Sequence, residues 1–395
     1  MYFSWAEIDL NALRDNIAAI RAALPANCKV LLPLKANAYG HGLEAIAKAA
    51  HEFGVDWLGL ATVREALEIK AYVPEARILV LGPSEPDDVK ALFVHRITPI
   101  VVDYDNAKRM NDAARKMHAR LPVHIKVDTG MGRIGFNAER DLQDILAACQ
   151  LPNLEVEGLM SHYATADEDD IKFAVGQHDR FLHMVRWLEK HDVRVAVKHI
   201  SNSGGFLNLA HSDHDMVRPG ILTYGAYPGS EGKERQGIHT RPLLSWKTSV
   251  TQIKDVVPGQ TIGYGAEFHA PRRTKVATIE VGYGDGFHRV LSGQAEVLIR
   301  GMRHPVVGRI SMDQTTVDLG QVSEVMVGDE VVLLGQQLQD EITVHELARH
   351  MGTIPYEVLT SISARVERRY MFNGEQVHSF VFSNFALMAG SILKT

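Results

Sequence analysis

Lys35 stands in the run Leu34-Lys35-Ala36-Asn37-Ala38-Tyr39-Gly40-His41-Gly42, directly after the apolar stretch Val30-Leu31-Leu32-Pro33-Leu34. A lysine ending a buried strand is stripped of hydration, which lets its amine lose the proton near neutral pH. The neutral amine is a nucleophile toward aldehydes, the chemistry that forms a Schiff base. A lone lysine of this kind is more often a surface residue in a strand-to-helix turn. Its meaning therefore depends on what the rest of the chain places beside it.

Other reactive residue types sit at the ends of apolar runs further along. Arg133 follows one run and His162 the next, and then come His199-Ile200-Ser201-Asn202-Ser203-Gly204-Gly205 and Arg218-Pro219-Gly220-Ile221. Ser203 with Gly204, and Gly220 with Ile221, offer backbone N–H groups that suit a phosphate. With an aldehyde-reactive lysine, these residues describe a site for a phosphorylated aldehyde. Arg218 bears on the reaction type. Many enzymes using pyridoxal phosphate set a carboxylate against the pyridine nitrogen, which keeps it protonated and the ring a strong electron sink. An arginine is always charged and only donates, so it leaves that nitrogen unprotonated. The weaker sink favours removal and return of a proton over transamination or elimination.

Positioning these groups falls to alternating elements. Strand-like runs occur at Val30–Leu34, Trp57–Ala61, Arg77–Leu81, Thr98–Val102, Val123–Val127, Val156–Met160, Val197–Ile200 and Val217–Thr223, with amphipathic stretches such as Asp105–His118 between them. Eight such units predict an α/β fold, a (β/α)8 barrel over residues 1–229, with its reactive groups at the carboxyl ends of the strands. Past Tyr227-Pro228-Gly229-Ser230-Glu231-Gly232 the pattern changes to β-branched runs bounded by glycines, among them Leu244–Val250, Lys275–Val281, Ala295–Ile299, Thr315–Leu319 and Glu330–Leu334. Residues 230–395 are predicted to form a mainly β domain with one amphipathic helix beginning near Thr343.

Gly130-Met131-Gly132-Arg133-Ile134-Gly135 fits a dinucleotide-binding fingerprint. It follows the fifth strand, not the first, and the Arg133 stem would crowd a pyrophosphate, so the reading is not adopted. The chain has 395 residues, 46% hydrophobic and 23% charged, with a formal charge of −6. That composition fits a globular protein and argues against a dedicated nucleic-acid binder. Two cysteines, Cys28 and Cys149, exclude a disulfide framework and a cysteine-based zinc site, and no metal is expected. No apolar run reaches a membrane span and the N-terminus does not read as a signal peptide, so no membrane association and a cytoplasmic location are expected.

Eight motifs resemble the alanine racemase family in the family's order: residues 35–42, Lys-Val-Asp-Thr-Gly-Met-Gly-Arg (126–133), His-Tyr-Ala-Thr-Ala-Asp (162–167), Arg-Pro-Gly-Ile (218–221), Gly-Tyr-Gly-Ala (263–266), Gly-Tyr-Gly-Asp-Gly (282–286), Gly-Arg-Ile-Ser-Met-Asp-Gln (308–314) and Tyr-Glu-Val-Leu (356–359). The resemblance implies a homodimeric, pyridoxal-phosphate-dependent racemase of alanine that in bacteria supplies D-alanine for peptidoglycan. It implies that Lys35 holds the cofactor and is one base, and that Tyr264 from the partner subunit is the opposite base. By the same resemblance Tyr39, Ser203, Gly220, Ile221 and Tyr356 bind phosphate, with Asn202 beside them. Arg218 meets the pyridine nitrogen, His162 supports Arg218 and Tyr264, and Arg133, Met312 and Asp313 face the substrate carboxylate. Tyr283 lines the entrance from the partner side, and Lys126 is a candidate for carbamylation. Two other readings stay open: an amino-acid decarboxylase of the same architecture, and a non-catalytic pyridoxal-phosphate-binding protein.

Overall fold

The computed structural model describes residues 4–209, 213–229 and 237–377. Eight parallel strands form the first layer, in the spatial order Met216–Val217, Lys29–Pro33, Trp57–Leu60, Ile78–Pro83, Ile97–Val101, Leu121–Asp128, Leu154–Met160, Val197–His199. Apart from the last strand beside the first, neighbours in space are neighbours in sequence, as a barrel requires. The seam between the seventh and eighth strands closes through the Asn202–Arg218 bridge and backbone bonds from Asp215 N to Lys198 O (3.1 Å) and Arg218 N to Ser201 O (2.9 Å). The eighth strand is shorter than the predicted Val217–Thr223. Pro219 has no N–H to extend the ladder, and Gly220–Thr223 turns into a short helix.

Alternation along the strands sorts the side chains. Leu31, Trp57, Leu79, Ile100, Met160, Val197 and Met216 cluster with one another, one from each strand except the fifth, while their neighbours in sequence pack toward the helices. The fifth strand buries His124 and Lys126 two residues apart, with Val123, Ile125 and Val127 in the larger core cluster. The predicted helix at Asp105–His118 is present at Tyr104–Lys116, with Asp103 capping its first turn by accepting from Asn106 N.

The second domain is built around Leu244–Val256, which pairs with Thr274–Ile279, Glu330–Gln337 and, antiparallel, with Trp5–Asp9. Trp5–Asp9 in turn pairs in parallel with Glu367–Phe372, so a segment that precedes the barrel in sequence is a strand of the second sheet. The helix expected near Thr343 runs over Val344–Met351, with the Thr343 hydroxyl as its N-cap. A second helix, Pro355–Ser361, follows it and carries Tyr356 to the mouth of the barrel. Among the described residues no helix is long and apolar enough to cross a membrane.

Candidate active site

A cavity of about 530 Å³ opens at the carboxyl ends of the barrel strands. Lys35, Tyr39, Lys126, Arg133, His162, Asn202, Ser203, Arg218, Gly220, Ile221 and Tyr356 all line it, so the structure gathers eleven separately expected residues in one place. Four of these side chains are basic and the lining contains one carboxylate, Asp167, which suits an anionic ligand.

The chain leaving the first strand is strained. Ala36, Asn37, Ala38 and Tyr39 lie in the left-handed region, with φ of 54°, 57°, 52° and 53°. Such a conformation costs non-glycine residues about 1–2 kcal/mol each, so the surroundings must hold it. The turn brings both Lys35 and Tyr39 to the cavity wall. Lys35 opens into that space, yet the crowding walls and the charges of Arg133 and Arg218 lower its amine below the usual lysine range.

Arg218 is buried behind the cavity and held from several sides. Its Nη1 donates to His199 Nδ1 (2.8 Å), and its Nη2 to Ser161 O (2.7 Å), Ile200 O (3.0 Å) and His162 Nδ1 (3.1 Å). Because an arginine can only donate, both histidines accept at Nδ1 and carry their proton at Nε2. His199 Nε2 then donates to His124 Nδ1 (2.8 Å), whose own Nε2 lies 3.9 Å from the Glu157 carboxylate. Burial, with Arg218 adding to it, pushes His162 and His199 well below the usual histidine range, and both are neutral. Burial lowers Arg218 to about 9, which still leaves it charged at neutral pH. Arg218 Nε has no acceptor among the described residues and is available to a ligand.

Ser203, Gly220 and Ile221 bring the turns after the seventh and eighth strands together on the cavity wall. Ser203 Oγ accepts from Leu222 N (3.3 Å), tying together the turns after the seventh and eighth strands. Gly220 leaves room for the Tyr39 hydroxyl, which a Cβ there would meet at 2.8 Å and displace. Tyr39 stacks on Tyr224 at 4.9 Å and meets Tyr356 from the second domain at 5.9 Å. The donor set fits pyridoxal phosphate: hydroxyls and a glycine turn for phosphate, an aldehyde-reactive amine, and an unspent guanidinium N–H for the ring nitrogen.

Lys126 is 2% exposed, donates to Val127 O (2.9 Å), and is lowered to about 7 by burial and by Arg218. Tyr264, Met312, Asp313 and Tyr283 are not in this cavity. Tyr264 sits in a one-turn helix, 70% exposed, and Met312 and Tyr283 are exposed on a neighbouring surface. There Met312 O accepts from Gly284 N and Asp313 pairs with Arg365 (2.8 Å). In the Gly130–Gly135 turn the Asp128 carboxylate accepts from the Gly130 and Gly132 N–H groups, the donors a dinucleotide phosphate would need. Sequence reasoning gave no role to His124, His199 or Glu157. Their signal was a polar alternation, His124 and Lys126, in an otherwise apolar strand.

Comparison with known proteins gives the same family throughout. Residues 8–228 match the alanine racemase N-terminal domain and residues 243–370 the alanine racemase C-terminal domain. The chain is 40% identical over 373 residues to alanine racemase 2 of Caldanaerobacter subterraneus, covering 93% of this chain and 95% of that one. It is 39% identical to alanine racemase of Halothermothrix orenii over 93% of this chain and 96% of that one. Among solved structures, alanine racemase of Clostridium difficile superposes with a TM-score of 0.90 at 35% identity, covering 96% of this chain and 98% of that one. Alanine racemase of Bacillus anthracis with bound L-Ala-P gives 0.90 at 35% identity, over 96% and 97%. The chain belongs to the alanine racemase family.

Proposed function

We propose that this protein interconverts L- and D-alanine, using pyridoxal phosphate, by exchange of the α-proton between two bases. The carrying observation is that Lys35, a phosphate cradle and a buried Arg218 share one cavity. The chemistry supplied by bound pyridoxal phosphate is electron withdrawal that acidifies the α-hydrogen of a linked amino acid. Lys35 Nζ would hold the cofactor and would be the base on one face. Tyr39, Ser203, Gly220, Ile221 and Tyr356 grip the phosphate and Asn202 fixes the turn beside it. Arg218 would meet the ring nitrogen as a donor and would leave that nitrogen unprotonated, which favours return of a proton over other outcomes.

Racemisation needs an acid or base on each face of the α-carbon. Tyr264 of the partner subunit is the second base in this reading. Its exposure outside the cavity of its own chain supports a role toward another copy, and the working unit is therefore a homodimer. His162, fixed by Arg218, supports the phenol. Arg133 receives the substrate carboxylate, with Met312 and Asp313 of the partner subunit closing that side. Lys126, with its amine lowered to about 7, is suited to react with carbon dioxide, and the resulting carbamate orients Arg133. In this reading residues 1–229 supply most of the cofactor site, and residues 230–395 add Tyr356 to it and the surface that completes the partner's site. Assay of purified, cofactor-loaded protein for D-alanine formed from L-alanine tests the reading. The decarboxylase alternative is not favoured, since an arginine holds the place expected of a carboxylate.

A further inference from the structure

We propose that His41 is the positioning residue for Lys35 and Tyr39, its Nδ1–H fastening the left-handed turn that carries both. This rests on the roles given to Lys35 and Tyr39 above. His41 is wholly buried, and its Nδ1 lies 2.9 Å from Tyr39 O and 3.1 Å from Ala38 O. Both partners are carbonyls and can only accept, so Nδ1 carries the proton and the ring is the neutral Nδ1–H tautomer. Its Nε2 has no protein partner among the described residues.

The two carbonyls it grips belong to residues of the strained run, which a right-handed relaxation would swing away. Other bonds hold the ends of the turn: Ala36 N donates to Glu65 (3.1 Å), and Asn37 Oδ1 accepts from Leu43 N (2.8 Å). His41 is the side chain that bonds the carbonyls of its far half, Ala38 O and Tyr39 O. The ring packs on Tyr224 at 4.6 Å, the same ring on which Tyr39 stacks, so imidazole and phenol share one support. From outside, the second domain closes over the turn: Tyr370 Oη donates to His41 O (3.2 Å) and Arg368 to Gly40 O (3.0 Å). His41 therefore sets where the anchor amine and the phosphate hydroxyl stand relative to each other.

The test uses full-length His41→Asn, His41→Gln and His41→Leu and reads the dissociation constant of pyridoxal phosphate, with pyridoxal as a control lacking phosphate. An asparagine places its amide nitrogen where Nδ1 stood, whereas a glutamine carries it one carbon further. His41→Asn is expected to stay near the parent, while His41→Gln weakens pyridoxal phosphate by about tenfold, the worth of one buried hydrogen bond. Pyridoxal is expected to weaken less, because the phosphate hydroxyl is among the displaced groups. Asn and Gln variants of equal affinity would overturn the proposal, and this comparison stands even if His41→Leu does not fold. A parent protein that takes up no pyridoxal phosphate would instead defeat the functional reading. The ¹⁵N shifts of His41 in the unloaded protein then decide: a proton on Nδ1 supports the fastening role, and one on Nε2 overturns it.

Discussion

Arg218 and His199 meet in the barrel interior, guanidinium Nη1 donating to imidazole Nδ1 at 2.8 Å, and that bond fixes the polarity of every bond behind it. A donor-only arginine forces His199 to donate onward to His124, whose Nε2 makes no hydrogen bond and lies 3.9 Å from Glu157, which pairs with Arg77. A cation at the cavity and a carboxylate at the opposite end of the barrel thus face each other across two neutral rings. Gly158 makes room for this line: a Cβ there would lie 2.5 Å from the His124 ring.

Arg218→Glu inverts the donor at the ring nitrogen. The carboxylate would hold that nitrogen protonated and strengthen electron withdrawal. Racemisation is expected to fall by about a hundredfold or more, as for loss of a preorganised charged donor, with transamination to pyruvate rising relative to it. An unchanged ratio of the two products, followed by coupled assay, would show that Arg218 does not set the reaction course.

Lys35→Ala removes the anchor amine. The variant is expected to lose the visible absorbance of the lysine-linked cofactor and essentially all activity. A spectrum identical to the parent's would place the anchor elsewhere.

Tyr264→Phe is expected to bind cofactor normally and to lose racemisation equally in both directions, as an equilibrium between enantiomers requires, while α-deuterium exchange with solvent survives for the one enantiomer whose α-hydrogen faces Lys35. Mixed with Lys35→Ala, it also reports on the partner. Each pure dimer has two damaged sites, whereas a hybrid has one intact site, so random exchange restores about a quarter of parent activity. No recovery in exchanged mixtures would mean that both bases come from one chain.

Acid should unfold the protein earlier than its carboxylates alone require. Burial lowers His41 to about 4 and His124 to about 3. Both depressions favour the neutral folded form, so their stabilisation is complete above pH 6.5 and is lost as pH falls toward 4 and 3. At pH 5 each lost protonation costs about 2 kcal/mol. Thermal melting from pH 7 to pH 5 is expected to drop steeply, and less so in His124→Gln. Parallel profiles for parent and variant would contradict the assignment.

The barrel was legible because its strands are near-continuous apolar runs and its reactive residues sit at their ends, where Lys35, His162 and Arg218 are found. The eighth strand was overdrawn because Val217–Thr223 is apolar on both sides of Pro219, and only the ladder's need for an N–H ends it. Trp5–Asp9 joins the second sheet through pairing with residues far along the chain, which local pattern does not encode. The left-handed turn was invisible because Ala36, Asn37, Ala38 and Tyr39 are not glycines. The roles of Tyr264, Met312 and Asp313 came from resemblance alone, and their own chain's cavity does not include them.

Proton exchange on both faces of alanine is tested by incubating the cofactor-loaded protein with L-alanine in heavy water. D-Alanine and α-deuterium are predicted to appear together, with deuterium in the D-alanine formed from the first turnovers. Deuterium exchange with retention as L-alanine, and no D-alanine, would contradict a second working base.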